Sequence, residues 1–230
     1  MSEFVLVHAA WHGAWCWDAV IQRLRALGYR ARAVQLPSDD PSAGCTRYAE
    51  VVVEELADSG QEVVLVGHSL GGITIPLVAA ARPVRCLVFL AALMPEPGRC
   101  LDDQLREEPG MVLPALGEAL ERDAQSTWLR DTASAIRLFY HDCSPDLGRA
   151  AAVRLRPQAR APFRERCPLS RWPDTETVCI ACREDRVVGP TWARQAAKRR
   201  HGAPLVELPG GHSPFLSRPE DLAHVLAGYG

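Results

Sequence analysis

The sequence predicts an α/β fold, with a mostly parallel six-stranded sheet flanked by helices and one helical insertion. Three observations carry this prediction. Short, nearly continuous apolar runs alternate with amphipathic stretches from the first residues onward, as in βαβ units whose strands are buried on both faces. One of these runs breaks abruptly into Gly67-His68-Ser69-Leu70-Gly71 and then into helix-forming sequence. Strand signals then vanish between residues 94 and 173 before resuming, which divides the chain into a core of residues 1–93 and 174–230 and a cap, or lid, of residues 94–173. A chain of 230 residues holds one sizeable core with such an excursion, and two full domains would be cramped.

Residues 4–8, Phe-Val-Leu-Val-His, form the first buried strand, followed by a small-residue and tryptophan loop. The next helix places Val20, Ile21, Leu24 and Leu27 on one face and stops at Gly28. Residues 30–36 are a strand closed by Pro37, and residues 46–59 a helix with Tyr48, Val52 and Leu56 inward. The helix after Ser69 turns Ile73, Leu77 and Ala80 inward, with Pro76 expected inside it, costing one hydrogen bond and bending it. Residues 84–93 are another buried strand. The insertion reads as helices at 101–108, 132–140 and 145–155, the last behind a Ser144 cap. Residues 177–181 restart the sheet, 190–200 are a helix, 204–208 the last strand and 219–227 the terminal helix, where Ser217-x-x-Glu220 reads as a capping box.

Composition narrows the class of partner. A net charge of −2 and a pI near 6.4 provide neither a basic stripe for nucleic acid nor a polybasic membrane anchor, so a small molecule is the expected partner. The longest apolar run, residues 86–94, is far short of the ~20 residues of a membrane helix, and residues 4–8 begin too early for a signal peptide's apolar region. A cytoplasmic protein is expected, with its eight cysteines reduced and mostly buried. Cys179 and Cys182 fall three apart in a strand, on opposite faces, and so neither chelate a metal nor close a disulfide. His8 and His12 are four apart but not on a helix, and no other cluster has metal-ligand spacing. No metal and no cofactor are expected, and a homodimer stays open.

The five residues 67–71 fit G-x-S-x-G, in which a strained strand-to-helix turn lifts a serine hydroxyl above the sheet. Side chains two positions either side of Ser69 would collide with the chain folding back past the turn. The N–H of Leu70, at a helix start, is aimed where an oxyanion would develop. A serine nucleophile needs a base to take its proton and a carboxylate to orient that base. His212 follows the last strand and Asp185 follows the strand before it, so both belong to the sheet edge that carries Ser69. Glu184 and Asp174 are competing acids, the first one residue nearer the strand and the second ahead of it. His8, His12 and His68 read as structural neighbours of the site, and His141, His201 and His224 as surface residues.

The string Phe-Val-Leu-Val-His-Ala-Ala-Trp-His-Gly-Ala-Trp-Cys-Trp over residues 4–17, the Gly-His-Ser-Leu-Gly turn, and Asp185 with His212 together resemble the α/β-hydrolases. The resemblance is to the small branch with plant methylesterases, hydroxynitrile lyases and bacterial esterase-like relatives, and it covers nearly the whole chain. It implies an α/β-hydrolase fold, an oxyanion hole from the N–H groups of Ala10 and Leu70, and a cap at residues 94–173. It also implies a serine hydrolase cleaving a small, mostly apolar ester through an acyl-enzyme. Two positions depart from the branch: Ala9 stands where its esterases have glycine and its lyases threonine, and Ser213 where its lyases have lysine. Trp11, Trp128, Phe139 and Tyr140 are the candidates for lining the substrate pocket. A lyase or cyclase on the same scaffold, and a ligand-binding module with little turnover, are the rival readings.

Overall fold

The computed structural model describes residues 2–230, the side chain of His201 lying outside the described set. The first half is the expected alternation: β1 (Glu3–Val7), α1 (Asp18–Ala26), β2 (Arg30–Val34), α2 (Cys45–Glu55), β3 (Val63–His68), α3 (Ile75–Ala81) and β4 (Cys86–Leu90). Between β4 and the next core strand come α4 (Leu101–Glu107), α5 (Pro114–Ala119), β5 (Leu120–Arg122), β6 (Ser126–Leu129), α6 (Thr132–Phe139), α7 (Pro145–Ala152), β7 (Gln158–Ala159) and α8 (Ala161–Arg164). The chain closes with β8 (Glu176–Cys182), α9 (Pro190–Ala196), β9 (Leu205–Leu208), α10 (Pro214–Ser217) and α11 (Pro219–Ala227).

Six strands form one parallel sheet in the order β2-β1-β3-β4-β8-β9. Alternation of side chains across the pleat sorts the core into two layers. Val5, Val7, Leu65, Leu87 and Phe89 pack under Tyr48 and Val52 of α2, Val78 of α3 and Trp192 of α9. Phe4, Leu6, Val64, Val66, Val88 and Ile180 pack against Val20 and Leu24 of α1 and Leu222 and Leu226 of α11. Each such fully buried side chain contributes roughly 1.5–3 kcal/mol relative to exposure, so the two-sided strands anchor the fold. Register matters for function: Val7 lies beside Gly67, Gly67 beside Phe89, Leu90 beside Ile180, and Cys182 beside Leu208. The carboxyl ends of β1, β3, β4, β8 and β9 therefore share one edge, where open α/β sheets place their ligands.

Three local expectations are corrected. The insertion is not purely helical, since β5, β6 and β7 form a small antiparallel sheet. Pro76 is not inside a helix; a 3-10 turn covers Ser69–Ile73 and α3 starts afresh at Ile75, so the proline occupies the first turn and costs no hydrogen bond. The capping box before α11 does not form, because Arg218 is the cap residue and Ser217 Oγ donates instead to the Ser213 carbonyl at 3.4 Å. Ser144 does cap α7, its Oγ accepting from Leu147 N at 3.4 Å. No helix is long and apolar enough to cross a membrane among the described residues.

Candidate active site

Ser69 follows β3 with φ of +50°, a left-handed conformation that costs a non-glycine residue of order 1–3 kcal/mol. Tight packing around the turn keeps it there. A Cβ at Gly67 would sit 2.7 Å from the Gly71 carbonyl oxygen, and one at Gly71 would sit 2.8 Å from that of Val7 and 2.9 Å from that of His8. The second glycine thus answers to the neighbouring strand β1, not to the turn's own helix. Ser69 starts the 3-10 turn, so the N–H of Leu70 lies in its first turn, without an intrahelical acceptor.

His212 lies in the loop after β9 and is buried. Its Nδ1–H donates to Asp185 at 2.8 Å to Oδ2 and 3.1 Å to Oδ1. That bond assigns the proton to Nδ1 and leaves Nε2 as the basic nitrogen. Asp185, also buried, is fixed in turn by Val187 N at 2.7 Å and Val188 N at 3.0 Å, both donating to Oδ1. Glu184 is engaged elsewhere, its carboxylate accepting from Gly210 N and its carbonyl from His141 Nε2. Asp174 precedes β8, at the opposite edge of the sheet.

His8, His12 and His68 are held neutral by burial. His8 Nδ1–H donates to the Ala9 carbonyl at 2.8 Å and its Nε2 accepts from Leu36 N at 3.0 Å; burial pulls its pKa down to about 4. His12 Nδ1–H donates to the Ala10 carbonyl at 2.8 Å and its Nε2 accepts from Tyr140 Oη at 2.9 Å; burial lowers its pKa to about 3. His68 is pushed well below the ordinary histidine value, first by burial and then by the neighbouring His212. Its Nε2–H donates to the His212 carbonyl at 2.8 Å, with the two rings 4.6 Å apart. Of the remaining histidines, His224 is exposed on α11 with Nδ1–H donating to the Glu220 carbonyl at 2.9 Å, and His141 is half-buried.

A cavity of about 330 Å³ opens beside the serine and is lined by Ser69, Leu70, Ala10 and Trp11 from the core. Residues 102–163 supply much of the remaining lining, including Leu105, Val112, Leu116 and Phe163, and the loop after Asp185 adds Val187 and Val188. Trp11, with φ of +61°, reaches across this boundary: its Nε1–H donates to the Thr127 carbonyl at 3.1 Å and to Thr127 Oγ1 at 3.2 Å. Trp128, Phe139 and Tyr140 do not line the cavity. Trp128 turns to Glu121, donating Nε1–H at 3.1 Å. Phe139 is buried between Trp11 and His212, 5.9 Å from each ring, and Tyr140 holds His12. Sequence reading missed the residues that do line it, because Leu105, Val112 and Leu116 look like ordinary helix and loop apolar residues.

A serine at a strand-to-helix turn, a buried carboxylate–histidine pair on the same sheet edge and an apolar cavity over them are the parts of an α/β-hydrolase. The chain belongs to the alpha/beta hydrolase family, whose pattern it matches over residues 4–225. It is 28% identical over 245 residues to a pyrethroid hydrolase of Sphingobium wenxiniae, spanning 100% of this chain and 88% of that protein. It is also 28% identical over 249 residues to methylesterase 3 of Arabidopsis thaliana, spanning 98% and 94% of the two chains. A crystal structure of a pyrethroid hydrolase superposes with a TM-score of 0.86 at 24% identity, covering 100% of this chain and 97% of that one, which shows the shared fold. Within the family this chain is an enzyme of the carboxylesterase class, in the methylesterase-like branch.

Proposed function

We propose that this enzyme cleaves a small, mostly apolar carboxylic ester through an acyl-enzyme on Ser69, with a Ser69–His212–Asp185 triad. The observation that carries the reading is the bond from His212 Nδ1–H to Asp185, which leaves Nε2 free to act as base on the sheet edge where Ser69 opens into the cavity. In the reaction, Ser69 Oγ attacks the ester carbonyl while His212 Nε2 takes its proton, and Asp185 stabilises the imidazolium without being protonated itself. The N–H groups of Ala10 and Leu70 hold the oxyanion, and His212 returns the proton to the departing alkoxide. Water, activated by the same histidine, then attacks the acyl carbonyl and frees Ser69. The apolar lining favours an ester whose acyl or alcohol group is hydrophobic. Names of the full-length relatives support ester hydrolysis, and residues 94–173 act as the cap that shapes the substrate. Eight unpaired thiols, seven of them pushed up in pKa by burial, fit a reducing, cytoplasmic setting.

The test is a panel of chromogenic esters of increasing acyl length, run beside a fluorophosphonate label on the wild type and on Ser69→Ala. Labelling of the wild type alone, with hydrolysis lowered by roughly a thousandfold or more in the variant, is expected. Near-native hydrolysis in Ser69→Ala ends the acyl-enzyme reading. Multiple turnover by the wild type also separates an enzyme from a ligand-binding module.

A further inference from the structure

The cavity lining is mostly but not wholly apolar. It also holds Arg122, Arg160 and Asp102. Arg122 ends β5 and pairs in register with Thr127 of β6, the residue that accepts the Trp11 side-chain hydrogen bonds. Arg160 is tied to the same turn, its N–H donating to the Gln125 carbonyl at 2.7 Å. Arg164, from α8, donates Nη2–H to the Ala124 carbonyl at 3.2 Å. Three arginines thus meet at one short turn, Arg164 through its guanidinium, Arg160 through its backbone and Arg122 through its place in the strand beside Thr127.

Nearby carboxylates do not neutralise them evenly. Asp123, within the turn, accepts from Gln125 N at 2.8 Å and Ser126 N at 2.7 Å through Oδ1, so it stabilises the turn itself. Glu121 faces Trp128 and Arg130. Asp102 lies 3.9 Å from Arg160. Arg122, a largely exposed residue, has no carboxylate partner and no hydrogen-bond acceptor for its side chain among the described residues, and it contributes to the cavity lining. Two lining guanidiniums against one lining carboxylate leave a single net positive charge there, which matches a monoanion and not a phosphate dianion.

We propose that the preferred ester carries a carboxylate on its apolar body, apart from the scissile bond, recognised by Arg122 and Arg160. The inference rests on the proposed ester hydrolysis at Ser69 and adds the substrate class. A guanidinium suits this role because its planar N–H fork matches a carboxylate and stays charged at every working pH. An apolar cavity with cations in its lining selects for length as well as charge, since only a chain of suitable length brings the carbonyl to Ser69 and the carboxylate to a guanidinium.

The experiment compares 4-nitrophenyl hemiesters of adipate, suberate and sebacate with 4-nitrophenyl hexanoate, octanoate and decanoate. The readout is the kcat/KM ratio of each hemiester to the neutral ester of equal chain length. At one length the ratio is expected to exceed one by roughly fivefold, the scale of one partly exposed ion pair, and to shrink as salt is added. In Arg122→Gln and Arg160→Gln the ratio, taken within each variant, falls toward one. A ratio at or below one for every length, or a preference unchanged in both variants, overturns the inference. Hydrolysis of the neutral esters with fluorophosphonate labelling would in that case leave the ester-hydrolase reading standing. Loss of labelling together with both ester series would remove that reading itself.

Discussion

His68 and His212 are 144 positions apart, yet the Nε2–H of the first donates to the backbone carbonyl of the second at 2.8 Å. The residue immediately before the candidate nucleophile thereby holds the backbone of the candidate base. Its ring, neutral because burial keeps its pKa far below the ordinary value, packs 4.6 Å from the ring of His212 without adding a positive charge beside it. The packing extends outward through Phe139, which lies 5.9 Å from both His212 and Trp11.

Asp185→Asn is expected to lower kcat by about three to four orders of magnitude on any ester the wild type hydrolyses, because the amide no longer accepts the Nδ1 proton that sets the tautomer. Glu184→Gln and Asp174→Asn are expected to lower it far less. Steady-state rates for the three variants decide the assignment; a collapse in Glu184→Gln with activity kept in Asp185→Asn would move the acid to Glu184.

Trp11→Phe removes both side-chain bonds to Thr127 while keeping an aromatic ring beside Phe139. Trp11 adjoins Ala10 and stands at a left-handed φ, so freeing its side chain loosens the strand-end loop that presents the Ala10 N–H. The expected result is about a tenfold fall in kcat on a short aryl ester with a smaller change in KM. An unchanged kcat would show that the backbone bond from Arg156 N to the Trp11 carbonyl, at 3.0 Å, holds the loop alone.

Stability should fall on mild acidification. His8 and His12 titrate near 4 and 3 in the folded protein and near 6.5 when unfolded, so between those values the unfolded chain binds more protons than the native one. Their contribution is complete above pH 6.5 and is lost as the pH drops toward 4 and then 3, each histidine costing up to about 1.4 kcal/mol per pH unit. Urea midpoints measured from pH 7 to pH 5 should decline, and less steeply in His8→Gln. A flat profile over that range contradicts the assignment of both rings as buried and neutral.

Cyanohydrin cleavage is the sharpest rival within the branch, and it requires a fixed cation near the departing cyanide in a site of low dielectric. Ser213, at the position of the lyases' lysine, is fully buried, and Lys198, the sole lysine, is exposed beyond α9 and outside the cavity lining. No cyanide release from mandelonitrile above the buffer background is expected, alongside measurable hydrolysis of a short aryl ester. Cyanide release that disappears in Ser69→Ala would promote the lyase.

Much of the core was legible because its signals are local. Strands buried on both faces appear as continuous apolar runs whatever they pair with, and Gly67 and Gly71 announce a turn that no side chain at those positions would allow. Order along the chain then put Ser69, Asp185 and His212 at strand ends on one edge of the sheet, and the structure joins the last two directly. The small sheet of the insertion was not legible: β5 has three residues and β7 two, too short for alternation to register, and β7 is recruited from 29 positions beyond the end of β6. Pro76 and Ser217 misled for a related reason, since helix boundaries depend on where the neighbouring chain stops the ladder as much as on the residue itself.

By itself, the sequence determined that this chain builds a parallel sheet around a serine turn, because burial on two faces and a tight strand-to-helix reversal restrict residue type wherever they occur. Only the tertiary structure decided what surrounds that serine. Phe139 and Tyr140 face the histidines and not the cavity, and Arg122, Arg160 and the apolar side chains of residues 105–116 meet at the cavity. Those placements are set by contacts among segments distant in the chain, and no local periodicity encodes which of many similar apolar or charged side chains will end up facing the same space.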